Sequence, residues 1–290
     1  MRVVAPVLAL CAALLAARSL PASAQVADTA LHRIQETKTL TIGFRESAEP
    51  FAFLDGSQQP SGYSVELCRR VAGALAQALK VDEIRTRFVP VTPQTRIPLI
   101  ANGTVDVECG TTVNALARQQ QVDFSYAVAL SEGKLLVRKD SGIRDLPDLA
   151  GKVIALAAGT TADRYVRTAL EARKITARIL TVRDNGEGLP AVASQRADAF
   201  INDAVLLGGV VRTAAEPDRF AVVGTPLSFE QVAFMVGKNN SGLLTVINGV
   251  IARLARSGEL QGLYGRWVAP YAGPIDADTA ALFKIEGIPE

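Results

Sequence analysis

RTRFVPVTPQTRIPLIANGTVDVECGTTVNALARQQQ, residues 85 to 121, changes its hydrophobic period three times. RTRFVPV (85 to 91) alternates as a strand does, residues 94 to 101 read as a short helix, TVDVECG (104 to 110) is extended, and NALARQQQ (114 to 121) returns to helical spacing. Upstream, TLTIGF (39 to 44) reads as a strand and YSVELCRRVAGALAQALK (63 to 80) as an amphipathic helix. Strands alternating with helices imply an α/β fold with a largely parallel sheet covered on both faces.

The alternation restarts after a gap. KLLVRK (134 to 139), KVIALAAG (152 to 159), a helix from Thr161 to about Ala172, ARILTV (177 to 182), a helix near 187 to 195 and ADAFIND (197 to 203) form a second set of similar length. The stretch FAVVGTPLSFEQVAFMVGK (220 to 238) is extended, and two helices follow over about 241 to 256 and 259 to 268. In the last of these, Leu260, Leu263, Tyr264 and Trp267 fall on one helical face, a core-packing stripe. No repeat or proline-rich linker separates the two sets, so they are expected to be closely joined lobes.

The N-terminus reads MRVVAPVLALCAALLAARSLPASAQVADTA. One early arginine, an apolar run from Val3 to Ala17 and the small triplet Ala22, Ser23, Ala24 predict a secretory signal peptide over 1–24. The run is shorter than the roughly 20 residues of a spanning helix, and Arg18 interrupts it. Cys11 follows Leu10, not a small residue, which argues against a lipid anchor. Loss of Arg2 and Arg18 lowers the basic count from 31 to 29, equal to the 29 acidic residues. A mature chain of zero formal charge without basic runs points away from nucleic acid and anionic lipid. Cys68 and Cys109 remain, enough for one disulfide and not for a disulfide framework.

Most catalytic chemistries lack their residues. The single histidine, His32, lies in a polar lead, so a Ser-His or Cys-His pair has no promising partner. No nucleophile elbow, phosphate-binding loop or dinucleotide fingerprint appears, no cofactor is implied, and two cysteines with one histidine make no transition-metal cluster. A carboxylate-only enzyme is not excluded by spacing.

What remains is a set of charged and hydroxyl residues just past strand ends, where open α/β sheets bind ligands. Arg45 follows TLTIGF, Arg96 follows the strand at 85 to 91, and Arg118 lies in ALARQ. Thr160 and Thr161 open a helix whose N-terminal amides favour an anion; Asn185 follows ARILTVRD, and Asp203 follows ADAFIN. Guanidinium forks match carboxylates bidentately, with charge-assisted hydrogen bonds worth roughly 1.5–3 kcal/mol each.

The segments IGFRES, AEPFAFLDG, GYSVEL, VTPQTRIPLIANGTVDVECGTTVNALARQ, AGTTA and RADAFINDAVLL together resemble the periplasmic solute-binding proteins of polar amino acid ABC importers (solute-binding protein family 3), nearest the glutamate/aspartate-binding branch. The likeness runs from about Leu31 to Trp267 and is most specific from Thr95 to Arg118. It implies a periplasmic-binding-protein type II fold, two α/β lobes joined by two crossing strands. Lobe 1 would comprise 25–128 and 228–290, lobe 2 129–227, with crossings near 126 to 132 and 225 to 230. It further implies a monomer in the periplasm that closes on an acidic amino acid and delivers it to a permease in the inner membrane. By resemblance, Arg118 would take the α-carboxylate with Thr111, Thr160 and Thr161, Asp203 the ammonium, and Arg45 with Arg96 the side-chain carboxylate. Three arginines against one aspartate leave such a pocket two charges positive; a neutral ligand would strand a buried arginine at a cost on the order of 3–5 kcal/mol.

The departures concern the side-chain end. Glutamate/aspartate binders usually carry serine at Pro93, threonine at Val113 and histidine at Asn185. Pro93 offers neither hydroxyl nor amide hydrogen, Val113 lacks a donor, and Asn185 cannot become cationic. A cysteine that some relatives carry after the second crossing is Phe234 here, which leaves the partner of Cys109 open. Two other functions go with the same fold. A periplasmic dehydratase of the cyclohexadienyl type would need a poised carboxylic acid, for which Glu46 and Glu230 are the candidates; a ligand-sensing partner of a membrane receptor would need only the cleft.

Overall fold

A computed structural model describes residues 29–289. The expected signal peptide over 1–24 lies outside the described residues.

The first half runs α1 (Thr29–Thr37), β1 (Thr39–Phe44), β2 (Ser47–Ala48), β3 (Ala52–Leu54), β4 (Pro60–Ser61), α2 (Tyr63–Ala78), β5 (Arg85–Pro90), α3 (Arg96–Ala101), β6 (Val107–Glu108) and α4 (Leu116–Gln119). Next come β7 (Val122–Arg138), β8 (Val153–Ala157), α5 (Thr161–Ala172), β9 (Arg178–Val182), α6 (Asn185–Ala193), β10 (Ala199–Asp203), α7 (Ala204–Arg212) and β11 (Phe220–Val223). The chain closes with β12 (Phe229–Gly237), α8 (Ser241–Arg256), α9 (Glu259–Trp267), α10 (Ala269–Ala272) and α11 (Ala277–Glu286).

The strands form one path, β5-β1-β6-β12-β7-β10-β8-β9, with β11 also on β7 and a small separate sheet β2-β3-β4. Parallel pairing joins β1 to β5 and β6, and β8 to β9 and β10. Strand β1 is buried from Leu40 to Phe44, as a parallel strand covered on both faces must be. At one end of the path, β5 carries exposed Arg85 and Arg87, a charged edge that discourages further pairing.

The sheet is less parallel than the alternation implies, because β7 pairs antiparallel with β12, β10 and β11. This 17-residue strand fills what looks like a gap in the sequence pattern. Its first part, Val122 to Glu132, pairs with β12, and its last part, from Gly133, pairs with β10 and β11. It therefore belongs to both halves of the molecule. Gly133 sits at the change of partner, where a Cβ would lie 2.1 Å from the Tyr165 hydroxyl and 2.8 Å from Ser228 Oγ. The turn-like composition of Ser131-Glu132-Gly133 thus marks a close approach of chains, not a break in the strand.

Two lobes follow from where the apolar residues gather. One core joins β1, α2, α8 and α9, including Leu40, Ile42, Leu67, Val71, Ile247, Leu260 and Leu263. The other lobe has a core on each face of its sheet, around Ile154, Val166 and Ile201 on one side and Ala155, Val192, Phe200 and Leu207 on the other. The stripe on α9 packs as its spacing requires, with Leu260, Leu263 and Tyr264 buried and Trp267 donating through Nε1 to Glu66 Oε2 at 2.7 Å.

Cys68 of α2 and Cys109, just after β6, are joined by a disulfide across 41 residues. This settles the partner left open by the sequence: the helix, not the strand bearing Phe234, faces Cys109. His32 lies on α1, an element the polar lead conceals, and stands exposed 3.6 Å from Glu36. The stretches at 104 to 110 and 114 to 121 are regular only over Val107–Glu108 and Leu116–Gln119, because the chain bends there to bring side chains into the site.

Candidate functional site

Strand and helix ends deliver the charged side chains to one place. Arg45 follows β1, Arg96 opens α3, Thr111 follows β6 and Arg118 lies in α4; from the other lobe come Thr160 and Thr161 at the start of α5 and Asp203 at the end of β10. These seven residues line one small cavity, together with Val113, Asn202 and Leu206. A larger open cleft of about 660 Å³ lies between α2 and α8, but no opposed charges converge on it. The small, closed space with three guanidiniums and a carboxylate is the chemically distinctive one.

The arginines differ in what holds them. Arg118 Nη1 donates to Val113 O at 2.8 Å within its own lobe, and Nη2 donates to Gly159 O at 3.0 Å in the other. Arg96 Nη2 reaches the same Gly159 oxygen at 3.5 Å, while its Nε and Nη1 are buried without a partner. Arg45 is 2 % exposed, and its Nε and Nη2 are likewise buried and unpartnered. A buried N–H without an acceptor costs roughly 1–3 kcal/mol, more when charged, so these groups call for an anion in the cavity. Among the described residues no carboxylate lies within ion-pair distance of any of the three.

Burial shifts the site's titrations. It pulls Arg45 down to about 10, assisted by the neighbouring Arg96 charge, and pulls Arg118 down to about 10 for the same two reasons. It pushes the Asp203 carboxyl up to about 6, against the pull of the Ser131 hydroxyl and the arginines. Glu108, fully buried in β6, is also raised by burial, while Arg96, the Thr112 hydroxyl, Arg45 and Arg118 hold it down.

The other predicted residues are placed as follows. Thr160 caps α5: its Oγ1 accepts from Asp163 N at 3.1 Å and donates to Ala157 O at 2.7 Å. Thr161 Oγ1 donates to Glu230 Oε2 at 2.9 Å, so both hydroxyls already have acceptors. Asn185 stands behind the cavity wall: its Oδ1 accepts from Asn202 Nδ2 at 2.6 Å, and its own Nδ2 is buried without a partner. Of the departures, Val113 lines the cavity, and Pro93 presents its carbonyl to Gly159, whose φ of +80° and missing Cβ permit an approach that any side chain would block at 2.8 Å. Neither Glu46 nor Glu230 lines the cavity; Glu230 Oε2 is taken up by Thr161 and, at 3.3 Å, by Ser228.

Asn202 and Leu206 were not singled out in the sequence. Asn202 sits beside Asp203 in ADAFIND, and strand alternation would turn it away; the chain passes from β10 into α7 at Asp203, so both reach the cavity. Glu108 carried a visible signal, an acid within the extended run TVDVECG.

Residues 40–270 match the model of the bacterial extracellular solute-binding proteins, family 3. The chain is 38% identical over 265 residues to the L-glutamate/L-aspartate-binding protein of Pseudomonas aeruginosa, covering 91% of this chain and 88% of that one. It is 34% identical to the glutamate/aspartate import solute-binding protein of Salmonella typhimurium, covering 84% and 81%. Among solved structures, the solute receptor for L-cysteine of Neisseria gonorrhoeae superposes with a TM-score of 0.75 at 25% identity, covering 86% of this chain and 98% of that one.

Proposed function

The chain belongs to the bacterial extracellular solute-binding proteins, family 3, and from that premise we propose that it captures an acidic amino acid, glutamate or aspartate, by lobe closure for delivery to an ABC importer. The observation that carries the acidic preference is the set of buried, unpartnered N–H groups on Arg45 and Arg96 around a closed cavity that also holds Asp203. A neutral side chain offers them at most one uncharged acceptor oxygen, whereas a carboxylate supplies four lone-pair sites and the opposite charge.

In the assignment we favour, Arg118 and Thr111 take the ligand's α-carboxylate near the N-terminus of α5, where Thr160 and Thr161 begin the helix. Asp203 takes the ammonium, and Arg45 and Arg96 face the side-chain carboxylate. Asn185 acts one layer out, fixing Asn202. We place lobe 1 at 25–128 and 228–290 and lobe 2 at 129–227, with β7 and β12 as the crossing strands. The protein works as a monomer in the periplasm, after removal of residues 1–24, and hands its ligand to an inner-membrane permease. Similarity to import-type binding proteins and the extracellular family support this. Dehydration would need a poised acid at the ligand, and both carboxylates considered for it lie outside the cavity wall.

Titration calorimetry of the mature chain with L-glutamate and L-aspartate tests the assignment. One-to-one binding that is abolished in Arg118→Ala is expected; absence of heat with both amino acids would refute it.

A further inference from the structure

Helix α7 carries LLGGVV (206 to 211), which puts Gly208 and Gly209 side by side in the middle of nine helical residues. Glycine is the least favourable helix former after proline, so the pair calls for a local cause. Packing supplies it. A Cβ on Gly209 would lie 2.1 Å from Glu49 O, and one on Gly208 would lie 2.9 Å from Tyr271 O. Both oxygens are main-chain atoms of the lobe 1 segments, one between β2 and β3 and the other in α10. The two are tied to each other, since the Tyr271 hydroxyl donates to Glu49 Oε1. The Glu49 side is held firmly: Phe51 N donates to Ala48 O at 2.9 Å, and Tyr63 N donates to Pro50 O at 3.0 Å. At the C-terminal end of α7, Arg212 Nη1 donates to Pro270 O at 3.3 Å, and its guanidinium lies 5.1 Å from the centre of the Tyr271 ring.

We propose that Glu49 and Tyr271 form a saddle into which the bare backbone of α7 seats when the lobes close, and that Gly209 is a positioning residue governing affinity for every ligand. The inference rests on the lobe division and lobe closure proposed above. The cavity is enclosed, so a ligand enters only when the lobes part, and parting lifts α7 off Glu49 and Tyr271. On closure α7 settles back. Because α7 begins at Asp203 and carries Leu206, the depth of its seating fixes how far these two cavity-lining residues advance toward Arg45 and Arg96. Gly209 itself does not line the cavity. A methyl group at 209 would meet the Glu49 carbonyl first and prop the lobes apart before the site is complete. The apparent affinity of a ligand that needs the closed form scales with the fraction of protein able to reach that form, so the prop weakens all such ligands by one common factor.

The test compares the wild type with Gly209→Ala, Gly208→Ala and Gly249→Ala, using calorimetry and small-angle X-ray scattering of the mature chain with L-glutamate and L-aspartate. Gly249 is the control, a glycine inside α8 where a Cβ would meet nothing within 4 Å. Gly209→Ala is expected to lose about a hundredfold or more in affinity for both amino acids, with their ratio unchanged. Gly208→Ala, with the looser contact, should lose less, and Gly249→Ala nothing. Glutamate should reduce the radius of gyration of the wild type and of Gly249→Ala, and leave that of Gly209→Ala at its ligand-free value. The thermal midpoint of ligand-free Gly209→Ala should equal or exceed that of the wild type, because alanine favours the helix and the clash exists only in the closed form. Weaker binding on an unweakened fold is a signature that a merely structural glycine would not give. Wild-type affinity in Gly209→Ala, a changed glutamate-to-aspartate ratio, or a lowered ligand-free midpoint overturns the proposal; the last would mean that α7 rests on Glu49 without ligand. If the wild type binds neither amino acid, the function proposed above fails instead.

Discussion

The two ends of the cavity are built on opposite plans. At the Arg118 end the protein has satisfied itself: the guanidinium is anchored on Val113 O and spans the lobes to Gly159 O, and the hydroxyls of Thr160 and Thr161 already have acceptors. At the Arg45 and Arg96 end, four guanidinium nitrogens are buried without partners. The first end is preorganised and couples ligand contact to the lobe interface; the second is held by packing and by distant charge, and is completed only by an anion. Preorganisation favours affinity for whatever shares the common amino acid backbone, whereas an unsatisfied cluster favours discrimination, because the wrong ligand leaves its donors stranded.

That contrast predicts different failures. Arg118→Ala removes both the proposed α-carboxylate partner and the bridge to Gly159, so binding of every amino acid should fall by about a thousandfold or more in calorimetry. Arg45→Ala should lower glutamate affinity by about a hundredfold while leaving glutamine affinity much less changed, a split that Arg118→Ala does not show. Equal losses for both ligands in Arg45→Ala would break the comparison. Acidification should weaken binding by about tenfold per pH unit below pH 6, because in the proposed assignment the ammonium needs ionised Asp203, whose carboxyl burial pushes up to about 6. The sign for stability is opposite. A carboxyl raised in the folded state contributes stability that is present at low pH and lost as pH rises through about 6, so the ligand-free protein gains from Asp203 on mild acidification. Smallest in effect, Thr160→Ala should cost about 1 kcal/mol in denaturant unfolding through loss of the α5 cap, with little change in ligand preference.

Much of this site could be read from the sequence because its residues follow strand ends, and strands such as TLTIGF and ADAFIND are marked by Leu40, Ile42 and Phe44 and by Ala199, Phe200 and Ile201. Seven of the eight singled-out residues line one cavity, and Asn185 stands behind it through Asn202. The electrostatic count was less legible. Periodicity shows that TVDVECG is extended but not which way its acids face, and Glu108 ends fully buried near the arginines. In the fold, elements of two or three residues such as β2, β3 and β4 carry too few positions for a period to register. The continuity of β7 was hidden because Gly133, forced by the Tyr165 hydroxyl and Ser228, looks like a turn in one dimension. The Cys68–Cys109 bridge required knowing that α2 lies over β6, which is tertiary information.

The most direct test of the central claim is the ratio of dissociation constants for L-glutamate and L-glutamine on the wild-type mature protein at pH 7.5, two ligands of nearly equal shape that differ in one charge. The stranded arginines predict glutamate tighter by about a hundredfold or more; glutamine bound equally well or better would contradict the account.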